Sequence, residues 1–117
     1  MEEEYDHVMF MQKIKSEKTE DYIKAHHEAW PELLKAIRDS GIEREFVWVN
    51  EDTCYIYMMA KDFNKAMSDL AKTEIFKKWS DKMEGFLAKM QDYSEGGQNV
   101  VTFNKVFDLE TQLKKIK

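Results

Sequence analysis

Tyr22, His26 and Trp30 stand four residues apart in the segment EDYIKAHHEAWPEL, residues 20 to 33. On an α-helix that spacing places side chains along one edge, because residues i and i+4 lie one turn apart. An imidazole titrates near neutrality, a phenol both donates and accepts hydrogen bonds, and an indole offers an apolar platform. Together they suit a small polyol, whose hydroxyls exchange protons and whose C–H faces pack on aromatic rings. His27 points about 100° away from His26 on the same helix, so only one of the two can face the interior. On residue types alone a second account stands beside the first: His26 is a half-buried histidine bonded to a carbonyl, with no chemistry to do.

Other chemistries have less support. The segment HHE lacks a third ligand at a metal-binding spacing and is not HExxH, so no metal site is expected. There is no glycine-rich phosphate loop and no GxSxG elbow. Cys54 is the only cysteine, which excludes an internal disulfide, and its mid-strand position reads as a small core residue. Trp79 and the eight methionines are core residues by default. The net charge of −5 is spread among interspersed acids and bases, which argues against nucleic acid because phosphate binding needs a basic stripe. No apolar run approaches the ~20 residues of a membrane span, and no signal pattern opens the chain, so a cytoplasmic protein is expected.

The elements that would position these side chains follow from periodicity. HVMFMQKI, residues 7 to 14, reads as a strand. Thr19 is the expected N-cap of a helix with Tyr22, Ile23, His26 and Trp30 on one side, continuing through Leu33, Leu34 and Ile37 to Gly41. Pro31 interrupts it and puts Trp30 at a kink. IEREFVWVN and TCYIYMMAK, joined at EDT, form an antiparallel hairpin. From Asp62 a second helical region presents Phe63, Met67 and Leu70, breaks near Thr73, and resumes with Phe76, Trp79, Met83, Phe86, Leu87 and Met90. YSEGGQN is a loop and residues 100 to 109 a final strand. Residues 1–6 and 110–117 are expected as solvated tails.

The order βαββαβ over 117 residues describes one α+β domain of the ferredoxin-like type, a four-stranded antiparallel sheet with helices on one face. In FVWV and YIYMM both alternating faces are apolar or aromatic, whereas a sheet covered on one side should be polar on the other. A homodimer packed sheet to sheet, a dimeric α/β barrel, would cover the second face.

The pattern YxxxHxxxWPEL, met at Tyr22, His26, Trp30, Pro31, Glu32 and Leu33, resembles the signature of the L-rhamnose mutarotase family. FMQ near the N-terminus, Gly41, TEIFKKWSDKM around Trp79 and the closing KVFDL fall where that family has comparable segments, so the likeness runs from about residue 8 to 109. It implies a dimeric ferredoxin-like enzyme that interconverts the α and β anomers of a 6-deoxy-hexose without a cofactor. It further implies that His26 is the catalytic proton donor, that Tyr22 binds the sugar, and that Trp79 lines the site. Tyr22 is the first choice for a second proton-transfer group, with a bound water or the Glu45 carboxylate as alternatives. Two positions depart from the family pattern. Glu45 replaces a sugar-contacting tyrosine four residues after Gly41, and Ser80 replaces a second tryptophan directly after Trp79. Glu45, Ser80 and Trp30 complete the expected substrate-contacting set, and the changes point to a shifted preference, for example towards L-fucose. Readings from other classes are a small oxygenase or haem-binding protein, since the same dimeric fold hosts such proteins, and a non-catalytic dimeric binding module.

Overall fold

The computed structural model describes residues 4–88 and 101–116. Strand β1 (Asp6–Lys13) leads through a 3-10 turn at Ser16–Lys18 into helices α1 (Thr19–His27) and α2 (Pro31–Ser40). The hairpin β2 (Ile42–Asn50) and β3 (Thr53–Ala60) follows, then α3 (Phe63–Ala71), α4 (Glu74–Glu84), a short strand β4 (Val101–Phe103) and α5 (Leu109–Lys114). The strands lie in the order β2-β3-β1-β4 with every neighbouring pair antiparallel. Helices cover one face, giving a ferredoxin-like α+β arrangement.

Alternation decides which face each side chain joins. Along β1, Val8, Phe10 and Gln12 are buried while Met9 and Met11 are exposed; along β3, Cys54, Ile56, Met58 and Ala60 are the buried set. The buried set packs against Tyr22 and Ala25 of α1, Met67 and Leu70 of α3 and Met83 of α4. Helix ends match their chemistry. Pro31 occupies the first turn of α2, and Gly41 closes that helix at φ 119°, a left-handed conformation that glycine adopts without strain. Asp62 and Thr73 cap α3 and α4, their side chains accepting from the N–H groups of Lys65 (3.1 Å) and Phe76 (3.2 Å).

Several expectations need correction. Thr19 is the first residue of α1 and not its cap; its hydroxyl donates to the Ser16 carbonyl in the preceding turn. The helix holding Tyr22 and His26 stops at His27, and Trp30 takes extended geometry (φ −68°, ψ 134°) as the residue before α2, so the three side chains do not share one helix edge. The cause is Pro31, which disfavours helical geometry at its predecessor. Helix α4 ends at Glu84, because the chain then turns to pair with the end of β1: Lys15 N–H donates to the Phe86 carbonyl and Ala88 N–H to that of Lys13. Met90 and the YSEGGQN loop lie outside the described residues.

Among the described residues the final strand covers only Val101–Phe103, and residue 100 of the expected strand lies outside them. Phe103 pairs with His7, one residue from the start of β1, so beyond it the partner strand runs out. The described parts of the expected tails also take regular structure. Asp6 belongs to β1 and its carboxylate accepts from the Phe63 N–H at 2.9 Å, while Asp108 caps α5 by accepting from the Thr111 N–H at 3.2 Å.

Candidate active site

One detail of β2 sets the character of the site. Ile42 pairs with Ala60 and Arg44 with Met59, so an irregularity at Glu43 inserts an extra residue into the ladder. Simple alternation would put Arg44 on the same face as the buried Ile42. With the bulge, Glu45 instead comes opposite Met58, on the helix-covered face, followed by Val47 opposite Ile56.

Between that face and the helices lies a cleft of about 340 Å³. Its walls include His26 from α1, Leu33, Ile37 and Arg38 from α2, Glu45 from β2 and Trp79 from α4. A smaller cavity of about 60 Å³ continues inward, sharing His26, Ile37, Glu45, Val47 and Trp79 and adding Gln12, Tyr22 and Ser80. The sequence-expected residues Tyr22, His26, Glu45, Trp79 and Ser80 are thus neighbours around one space. Trp30 lines neither volume. Its ring stands edge-on to Trp79, centroids 5.5 Å apart, with the Lys82 ammonium 5.4 Å from its own centroid, so it braces the wall from behind.

His26 is half-buried and His27 exposed, which settles which histidine faces inward. The His26 Nδ1 lies 2.9 Å from the Tyr22 carbonyl. A carbonyl can only accept, so Nδ1 carries the proton and the neutral ring keeps Nε2 as its basic nitrogen. The ring packs 4.2 Å from Tyr22 and edge-on to Trp79 at 5.2 Å. Desolvation holds its pKa below the ordinary value of 6.5; the Tyr22 carbonyl opposes that shift and the neighbouring His27 adds to it. Near pH 7 the imidazole is therefore neutral and able to take a proton.

Tyr22 is only 2% exposed. Its hydroxyl donates to the sulfur of Cys54, a buried free thiol whose own pKa burial pushes up. Glu45 as a whole residue is exposed, as the wall of an open cleft must be. Its carboxyl nonetheless stands amid enough protein that desolvation pushes its pKa up to about 7.

Gln12, Arg38 and Arg44 were not singled out from the sequence. Gln12 left a readable signal: it is a polar residue in the buried phase of β1, after Val8 and Phe10, and is 8% exposed. Its backbone carbonyl accepts from the Cys54 thiol at 3.5 Å. Arg38 and Arg44 had no such signal, because surface helices and strand ends are rich in arginine.

The fold and this cleft define a ferredoxin-like protein with a cavity of small-molecule size between sheet and helices. A sequence model of the L-rhamnose mutarotase family matches residues 7–109, and the chain belongs to that family. It is 28% identical over 102 residues to an L-rhamnose mutarotase of Clostridium beijerinckii, covering 86% of this chain and 95% of that one. The crystal structure of the L-rhamnose mutarotase of Formosa agariphila superposes with a TM-score of 0.63 at 24% identity, covering 87% of this chain and 96% of the other. A dimeric ferredoxin-like protein from an uncultured marine organism shares the fold at a TM-score of 0.57 and 17% identity, with 92% and 93% covered.

Proposed function

We propose that the protein is a single-domain, cytoplasmic mutarotase that interconverts the α and β anomers of a 6-deoxy-hexose such as L-rhamnose without a cofactor. The observation behind this is the position of His26. A neutral imidazole, its tautomer fixed by the Tyr22 carbonyl, lies against Trp79 in a cleft whose volume is at the small end of the ~300–1,000 Å³ common for ligand sites. Mutarotation needs a proton removed from the anomeric hydroxyl and one supplied to the ring oxygen, after which the ring opens, the aldehyde turns and the ring recloses. Trp79 packs on the C–H face of the sugar, braced by Trp30; Tyr22 forms the floor beneath His26; Ser80 and Glu45 meet hydroxyls. Cys54, the sole cysteine and a buried free thiol, is compatible with a reducing compartment.

The sugar preference follows the two polar positions. A site built to pair a hydroxyl discriminates against an analogue that leaves its polar group unpaired. Glu45 and Ser80 therefore direct selectivity, with L-fucose the first alternative to L-rhamnose.

The active form is a homodimer joined through the open sheet face, where Met9, Met11, Phe46, Trp48 and Phe103 leave large apolar surfaces exposed. The dimeric ferredoxin-like protein from an uncultured marine organism, which shares the fold, supports the same reading. Anomer exchange measured by NMR on L-rhamnose, L-fucose and neutral hexoses tests the activity. Exchange on a 6-deoxy sugar that vanishes in His26→Ala, with dimerisation intact, is the expected result. Unaltered exchange in that variant removes His26 from the mechanism, and no exchange by the native protein favours a binding module.

A further inference from the structure

We infer that Glu45 is the second catalytic group of this site, the acid that protonates the ring oxygen while His26 takes the proton of the anomeric hydroxyl. The inference rests on the mutarotase reading and names a residue for its open role.

Two groups on different elements line both the cleft and the inner cavity and can exchange protons: His26 from α1 and Glu45 from β2. Both therefore border the space a sugar would occupy. Tyr22 is the other phenolic or acidic candidate, and it is sunk beneath the site at 2% exposure with its hydroxyl given to Cys54. It is a floor and a positioning residue, since its backbone carbonyl sets the His26 tautomer.

The charged groups around Glu45 leave its carboxyl unneutralised. From α2, the Arg38 guanidinium donates to the Glu43 carbonyl at 3.2 Å. On β2 itself, Arg44 also borders the cleft, but its guanidinium is directed over the Phe46 ring, 5.1 Å from the centroid. Glu43 is the remaining charged neighbour on that strand. α1 contributes His26 and Tyr22; α4 contributes Trp79 and Ser80; β1 contributes Gln12; β3 contributes only the apolar Ile56 and Met58. None of these is a cation seated on Glu45, and burial is the cause that raises its pKa to about 7. A carboxyl kept protonated near neutrality beside a histidine kept neutral is an acid and base pair with divided roles.

The step balances. His26 Nε2 takes the proton from the anomeric hydroxyl, and the oxygen's electron pair forms the C1=O1 double bond. The bond between C1 and the ring oxygen breaks, and its electrons take the proton of the Glu45 carboxyl. Rotation about C1–C2 presents the other face of the aldehyde. On reclosure the Glu45 carboxylate removes the proton from the attacking hydroxyl while the His26 imidazolium returns its proton to O1.

The pH dependence follows from these forms. His26 loses its basic nitrogen as pH falls through a pKa held below 6.5, and Glu45 loses its acidic proton as pH rises through about 7. Exchange should therefore peak in a narrow window between the two.

The test measures anomer exchange by NMR on L-rhamnose and L-fucose, from about pH 5 to 9, for the native protein, Glu45→Gln, Glu45→Asp and His26→Ala. In the proposal, Glu45→Gln slows exchange by roughly 10² or more and loses the alkaline limb, while Glu45→Asp restores that limb. Native rates and an unchanged alkaline limb in Glu45→Gln, with His26→Ala inactive, would overturn the role of Glu45 and leave the mutarotase reading standing. No exchange by the native protein on either sugar overturns both. Carboxyl carbon NMR of the native protein gives a check independent of variant folding: a Glu45 midpoint near 7 supports the role, and one below about 5, in the ordinary carboxylate range, rejects it.

Discussion

On the helix-covered face of the sheet, Val8, Phe10, Ile56 and Met58 are each 5% exposed or less, whereas on the open face Met11 and Trp48 leave 58% and 53% of their surface accessible. Both faces come from the same three long strands. The covered face admits few polar groups. Gln12 and Glu45 are the ones that reach the cavity, where desolvation changes what a carboxyl can do. On the open face polar groups settle with one another: the His7 Nδ1 and the Tyr57 hydroxyl are 2.6 Å apart, and the Phe46 ring stacks on Tyr57. The contrast teaches that side-chain alternation lets one sheet set a few polar groups among apolar neighbours on its covered side and leave a broad apolar surface on the other. Substitutions on the two faces should then separate activity from association.

The largest expected effect tests the covered side. His26→Ala should lower anomer exchange by about 10²–10⁴-fold while sedimentation remains that of the native assembly. Leu70→Ala, beneath the cavity and 1% exposed, should cost about 2–5 kcal/mol in a denaturant titration through lost burial and the void left behind. Trp48→Glu on the open face should keep the fold, seen by circular dichroism, and weaken self-association by about 2 kcal/mol, roughly 30-fold, in analytical ultracentrifugation. If Trp48→Glu abolishes exchange as a monomer as well, the faces are not independent and the partner completes the site. The smallest effect should come from Asp62→Ala, which removes the α3 cap and should cost about 1 kcal/mol without altering exchange or association.

Most of the scaffold was readable from residue patterns. The two apolar phases of FVWV and YIYMM correspond to the two sheet faces, Pro31 and Gly41 bracket α2, and Thr73 divides α3 from α4. Tyr22 and His26 share a helix turn as their spacing requires. What escaped depended on contacts made elsewhere in the chain. The end of β4 is set by where β1 begins, and the end of α4 by pairing between residues 13–15 and 86–88, neither of which local periodicity encodes. Trp30 matched the row by number but not by geometry, since a proline acts on the residue before it. Alternation along β1 carried a visible sign of Gln12, whereas the face taken by Glu45 could not be counted from Ile42 without knowing of the bulge.

That bulge bends the strand where it leaves α2 without deciding which side chains downstream face the cleft. Removing Glu43 would restore a regular ladder in which Arg44 still lies opposite Met59 and Glu45 opposite Met58, because the strand from Phe46 onward is held in register by the Glu51–Asp52 turn. A one-residue change in length there should therefore alter how the strand joins Gly41 and α2 while leaving Glu45 on the helix-covered face, so that the cleft mouth can be reshaped without exchanging the charge it presents.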